Sequence, residues 1–204
     1  MSTLRTTNLK HESSSSNNIV LDSSGNATVA GNLTVTGTAQ NKVVGEHSAS
    51  GGQSIGTGNS YEYTPGIPDT AKIIYFSYYN LAATGTDGLR LQLGDASSFA
   101  TSGYNNMTAY ASNGSVVAVQ ENTSYIAIPH TGWSSADNDF YGYLQFINHV
   151  DNHWMYMHQC VEPDNPYVNW GNGFVNLDLK KFKIYWSGSD TFESGGTVNC
   201  HWIS

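Results

Sequence analysis

The first 60 residues contain no Phe, Tyr or Trp, although the chain of 204 carries 7, 13 and 5 of them. A segment without large side chains buries little apolar area and cannot hold a core of its own. Charge is also scarce, at 12% of residues, and it leans one way: 8 Lys and Arg stand against 16 Asp and Glu. That balance argues against nucleic acid as a partner, because a phosphate backbone needs a basic face and only Lys180, Lys181 and Lys183 cluster. No apolar run is long enough for a membrane-spanning helix, so membrane insertion is not expected. Residues 1–10 lack the apolar stretch of a secretory signal, so synthesis in a cytoplasm is expected. Two cysteines, Cys160 and Cys200, do not make a disulfide framework. Buried free thiols are the expectation for them, with a bridge between neighbouring strands as the alternative.

What the first 60 residues do contain is short-period alternation. Residues 19–38 read IVLDSSGNATVAGNLTVTGT, with Ile19/Leu21, Ala27/Val29 and Leu33/Val35 separated by Gly25-Asn26, Gly31-Asn32 and Gly37. A period of two predicts strands, and Gly-Asn pairs supply the positive φ that tight turns require. Runs this short, with no large side chain, become stable only when copies wrap or stack. The expected organisation is an attachment segment at 1–18, a β shaft at 19–40, a Gly/Ser-rich neck at 41–60 and a head at 61–204. The arm charges balance, so the net charge of −8 belongs to the head.

From Tyr61 onward the chain reads as all-β. Strands are predicted at 61–63, 71–79, 89–93, 107–111, 116–120, 124–129, 141–149, 153–161, 174–178, 179–186 and 197–203. Ser112-Asn113-Gly114 predicts a hairpin turn, and Val150-Asp151-Asn152 predicts another. The segment PDNPYVNWGNG, rich in turn residues, reads as a loop. With no amphipathic helix, the expected fold is an all-β chain: a thin N-terminal stalk followed by a jelly-roll-like β-sandwich head.

Two stretches carry a likeness to known proteins. Residues 1–40, with MSTLRTTNL and an IxLDxxGNxxVxGxLxVxG element, resemble the shaft segment of tail-fibre proteins of tailed bacteriophages, of the cyanophage and marine-phage type. Residues 65–204, apart from a divergent middle at 112–170, resemble the head domain of such fibres. The motifs are Gln92-Leu93-Gly94 ending a strand, Ser102-Gly103-Tyr104 closing a loop, and Thr191-Phe192-Glu193-Ser194-Gly195 before the last strand. The resemblance implies a homotrimeric virion protein, docked on other tail or baseplate proteins through its N-terminal segment. Its head would attach to the host cell surface. It carries no catalytic motif and no cofactor. A non-adhesive virion component, such as a capsid decoration or tail-assembly protein, is the alternative.

Candidate chemistry is sparse. His149, Asp151 and His153 share a face if they lie on one strand, but their spacing with His158 matches no zinc signature. The loop around Asp137-Asn138-Asp139 lacks the Gly and Glu of an EF-hand. Glu162/Asp164 and Asp190/Glu193 are carboxylate pairs without a surrounding catalytic motif, so no enzymatic activity is expected. Aromatics and carboxylates in predicted loops are the better lead, because sugar rings stack on Trp and Tyr while Asp binds hydroxyls. The candidates for glycan contact are Trp133, Asp137, Asp139, Trp154, Tyr167 and Trp170, with packing at the end of the sandwich or in a seam between copies as the other role for Trp133 and Trp170. Trp186 and Trp202 read as core residues of strands.

Overall fold

Alternation is plainest at residues 153–162, HWMYMHQCVE, where every second side chain is buried along one extended strand. A computed structural model describes residues 8–9, 15, 19–24, 27–29, 44–46, 52–112, 115–128, 139–162 and 167–204. The chain divides into two units, Met1–Asn41 and Lys42–Ser204. Every regular element among the described residues is a strand.

The first unit holds β1 (Asn8–Leu9), β2 (Ile19–Leu21) and β3 (Ala27–Val29), paired antiparallel in that order. The strands have two or three residues, and Val20 and Leu21 stay exposed. The predicted strands at 19–21 and 27–29 are present, and a residue pair from the expected attachment segment adds β1. The shaft residues 30–40 lie outside the described residues.

The second unit holds β4 (Val44–Glu46), β5 (Gln53–Ser54), β6 (Ser60–Tyr63), β7 (Ile73–Leu81), β8 (Leu89–Gly94), β9 (Asn105–Ser112) and β10 (Ser115–Asn122). It continues with β11 (Ile126–Ala127), β12 (Phe140–Val150), β13 (His153–Glu162), β14 (Tyr167–Asn176), β15 (Lys181–Trp186) and β16 (Thr197–Ile203). One sheet has nine strands in the order β10-β9-β14-β13-β12-β7-β16-β4, with β5 also on β16. The other has four, in the order β11-β8-β15-β6. All pairings are antiparallel. The neck residues therefore belong with the head, since β4 and β5 both pair with β16.

The two sheets meet through aromatic rings. Phe182 of β15 stacks on Phe76 of β7 with centroids 4.6 Å apart, and touches Phe146 of β12 at 5.8 Å. Trp186 packs on Phe140 and Phe192 at 6.2 and 5.3 Å. Leu89, Leu91 and Leu93 of β8 fill the rest of the small sheet's inner face, all fully buried. Cys160 and Cys200 are free and buried; burial pushes each thiol up to about 12, which leaves them as small apolar side chains.

Turn chemistry is as expected at 150–153. Asp151 and Asn152 both have positive φ, 43° and 66°, joining β12 to β13 as an I′-like turn. Ser112 pairs with Ser115 at the β9–β10 hairpin, so two residues connect them. At the end of the molecule where β7 leads to β8, Asp87 and Asp190 bracket each other: Asp87 N–H donates to the Asp190 carboxylate at 2.7 Å, and Asp190 N–H returns the bond at 2.8 Å. Asp190 thus has a structural task, closing this end of the sandwich.

Two predictions from the sequence need correction. The run at 124–129 forms a strand only at Ile126–Ala127. The PDNPYVNWGNG segment is not the expected loop from Tyr167 onward but β14, an interior strand between β9 and β13; the four residues before Tyr167 lie outside the described residues. Its glycines belong to the sheet. A Cβ on Gly171 would run into the His158 imidazole and the Met107 carbonyl, and one on Gly173 into Asn105 and Asn106. Glycine here marks close approach of neighbouring side chains, not a turn.

Phe182→Ala should destabilise the head by about 3–5 kcal/mol, since it empties the contact between the sheets. Urea unfolding followed by tryptophan fluorescence reads this directly; a loss under about 1 kcal/mol would mean that the sheets are held elsewhere.

Candidate functional site

The large sheet has two faces of very different chemistry. Its inner face is apolar beneath β8 and β15, but turns polar under β9, β14 and β13. There Asn106, Thr108, His158, Glu162 and Asn169 are all buried. Gly171 and Gly173 leave the space that lets β9 and β13 side chains meet across β14. Thr108 Oγ1 lies 3.2 Å from His158 Nε2 and donates to the Ala127 carbonyl at 3.0 Å. Asn106 donates to the carbonyls of Asn122 and Tyr125 at 2.9 and 3.0 Å. This polar strip ties β9 to the segment that carries β11. Burial holds the His158 imidazole neutral, its pKa pushed down to about 4.

Among the described residues, the outer face carries no Asp, Glu, Lys or Arg on the six strands β9, β14, β13, β12, β7 and β16; on the flanking strands Glu121 of β10 pairs with Met107 and Glu46 of β4 pairs with His201. Register places Met107, Asn172, Met157, Gln145, Tyr75 and His201 side by side across six strands. The next row is Asn105, Phe174, Met155, Ile147, Ile73 and Ile203. Ala109, Trp170, Gln159, Tyr143 and Ser77 make a third. A groove of about 800 Å3 runs between β10, β9, β14, β13 and β12, lined by Met107, Met155, Met157, Phe174, Asn172 and Gln145, with Glu121 at its β10 edge.

The sequence-selected residues separate as follows. Trp170 lies on this outer face, 39% exposed, opposite Ala109 and Gln159. Trp154 was selected as a residue beside a turn, but its ring is in the core: it is 3% exposed and its Nε1–H donates to the Leu177 carbonyl at 3.0 Å. It has no face free for a sugar, because even-numbered positions of β13 point inward. Tyr167 opens β14 opposite Glu162 and Ser112, its backbone alone described. Asp139 immediately precedes β12 and is half-buried. Trp133 and Asp137 lie outside the described residues. Tyr141 pairs with Val161, so Asp139 and Tyr167 belong to the same end of the large sheet.

The histidine run does not converge. Residues 151–152 are the turn itself, which puts His149 and His153 on different strands; His153 Nδ1 sits 3.0 Å from the Val150 carbonyl, and His158 faces the interior. No group of three or more His, Cys, Asp or Glu able to hold a metal occurs among the described residues. Buried Glu162 is a member of the polar strip, and its sequence neighbour Asp164 lies outside the described residues.

Sequence reasoning passed over Met107, Met155, Met157, Tyr143 and Phe174. The signal was present in HWMYMHQCVE: one phase carries Trp, Tyr and Cys, and the other carries Met, Met and Val with no charge. A strand without a charged phase is the mark of one covered on both faces.

No family model, curated protein or solved structure matches this chain.

The buried imidazole makes a sharp prediction. An unfolded His titrates near 6.5 and the folded one near 4, so between these values the unfolded state binds more protons and stability falls as pH falls. The loss reaches about 3 kcal/mol below pH 4. His158→Gln should remove this part of the acid sensitivity, read as the difference in urea midpoint between pH 7.5 and 4.5. Equal slopes in both proteins would show that His158 is protonated without penalty.

Proposed function

We propose that this chain is a short tail fibre of a tailed bacteriophage, a homotrimeric virion protein whose head attaches to the host cell surface. In this reading residues 1–18 dock on other tail or baseplate proteins. Residues 19–40 form a trimeric β stalk. The head is a jelly-roll-like sandwich whose ligand is an uncharged or polar glycan.

The observation that supports it most is the two-part build. A three-stranded sheet with strands of two or three residues stands as a unit apart from an all-β head. So small a sheet has too little buried surface to persist alone, and gains it when copies pair. The head's negative charge fits a neutral glycan better than an acidic one. The residues proposed to contact it are Asp139 and Tyr167, at one end of the large sheet, with Trp133 and Asp137, which lie outside the described residues. Several weak sites per fibre then add by avidity, without tight single contacts.

Light scattering on the full chain should give three times 22.1 kDa. Labelled protein on an array of neutral glycans should bind a defined subset, and Trp133→Ala with Asp139→Ala should weaken that binding by about tenfold or more without changing the mass. A trimer that binds no glycan or cell, and is found by immunolabelling over the capsid, would overturn adhesion in favour of a decoration protein. A monomer would overturn the fibre.

A further inference from the structure

We propose that the outer face of the nine-stranded sheet is a contact surface for further copies of this chain. The two outer faces of the head make the case by contrast. That of the four-stranded sheet carries Glu62, Arg90, Gln92, Lys181, Lys183 and Tyr185. Its cations lie over rings or beside a carboxylate: Arg90 over Tyr125 at 4.2 Å, Lys181 over Phe99 at 4.6 Å, Lys183 Nζ 3.8 Å from Glu62. This is a surface suited to water. The outer face of the large sheet has no charged residue on its six strands from β9 to β16, with Glu121 and Glu46 only on the flanking β10 and β4. The chain has four methionines, and the three besides Met1 all lie here, 45–52% exposed, with Phe174 and Tyr143 alongside. Depletion of charge with enrichment in Met and aromatics is the composition of an interface core. Exposed apolar faces of this extent mark association sites.

Size agrees. Six strands at about 4.8 Å spacing, each showing about seven residues at 3.4 Å rise, present roughly 700 Å2 of flat sheet. A standard interface takes about 800 Å2 from each partner.

Two observations choose the occupant. First, copies of a head with net charge −8 repel wherever acidic surface meets acidic surface. The six strands between Glu121 on β10 and Glu46 on β4 carry no charge on this face, and that is where two copies can press together. Secondly, the N-terminal unit, with strands of two or three residues and exposed Val20 and Leu21, itself calls for strands from other chains. Once arms associate, the heads are held at an effective concentration of about millimolar, so a modest apolar contact closes. Met155, Met157, Ile147 and Ile73 are apolar, whereas Trp170, Asn172 and Gln145 on the same face could meet a sugar, so added glycan is one arm of the test. The surface is distinct from the proposed glycan contacts, and its test does not depend on adhesion.

The test uses the full chain and its own methionines. In the assembled protein, peroxide should convert Met107, Met155 and Met157 to sulfoxides at least about tenfold more slowly than free methionine, followed by mass spectrometry of peptides. The double variant Met155→Glu/Met157→Glu, at positions already exposed in one copy, should raise the concentration needed for assembly about 100-fold or more, because it brings like charges together. Met107 should then oxidise at the free rate. Gln92→Glu, on the other sheet, should change neither reading, and near-UV circular dichroism should show all variants folded. An oligomer whose three methionines oxidise freely would mean that the arms alone associate, and would overturn the proposal. So would a monomeric chain, an unchanged mass for the double variant, or protection that develops only when a glycan is added.

Discussion

Nine strands face four, and the ring of Phe182 lying between Phe76 and Phe146 is where they are clamped. Everything around it follows from that mismatch in width. Beneath β8 and β15 the large sheet can be dry, so Ile74, Phe76, Leu144 and Phe146 fill it and dispersion with transfer energy holds the layers together. Toward β9 the small sheet runs out, with only the two residues of β11 on that side. The inner face there must satisfy backbone groups of an irregular segment, and it does so with amides, a hydroxyl and an imidazole rather than with Leu or Ile.

That polar strip explains two features that look unrelated. The glycines of β14 are the space into which His158, Thr108 and Asn106 reach. The neutral imidazole is the cost of the arrangement, because a buried cation among carbonyls and amides would need an anion placed against it. Acid sensitivity is thus built into the packing of one strand. The same logic separates the aspartates: Asp87 and Asp190 spend their oxygens on each other's backbone N–H groups, which fixes the loops at one end of the sandwich and leaves them little freedom for other chemistry.

The outer face answers to no such demand within the chain, and its composition is that of a buried surface. A sheet with one side on a core and one in water alternates apolar with polar or charged residues, as β15 does with Lys181 and Lys183. β13 instead shows Met155, Met157 and Val161 outward with no charged residue among them. Read together with an arm of strands only two or three residues long, this is the composition on which the proposed contact between copies rests.

Much of this was legible in the sequence, and the exceptions have a common cause. Period-two alternation, Asn-Gly and Asp-Asn turns and the absence of amphipathic helices establish an all-β chain, and most strands lie where the pattern puts them, because backbone geometry and turn conformations are local properties. The division of aromatics at residue 61 points to an arm and a head, but the units divide between Asn41 and Lys42, because the neck strands β4 and β5 pair with β16. Tertiary structure alone decided that YVNWGNG is a strand, since Gly171 is required by the His158 side chain and the Met107 carbonyl on the neighbouring strands β13 and β9. It alone turned Trp154 inward and Trp170 outward, because the phase of a strand is set by its register with neighbours, and a shift of one residue exchanges the two faces.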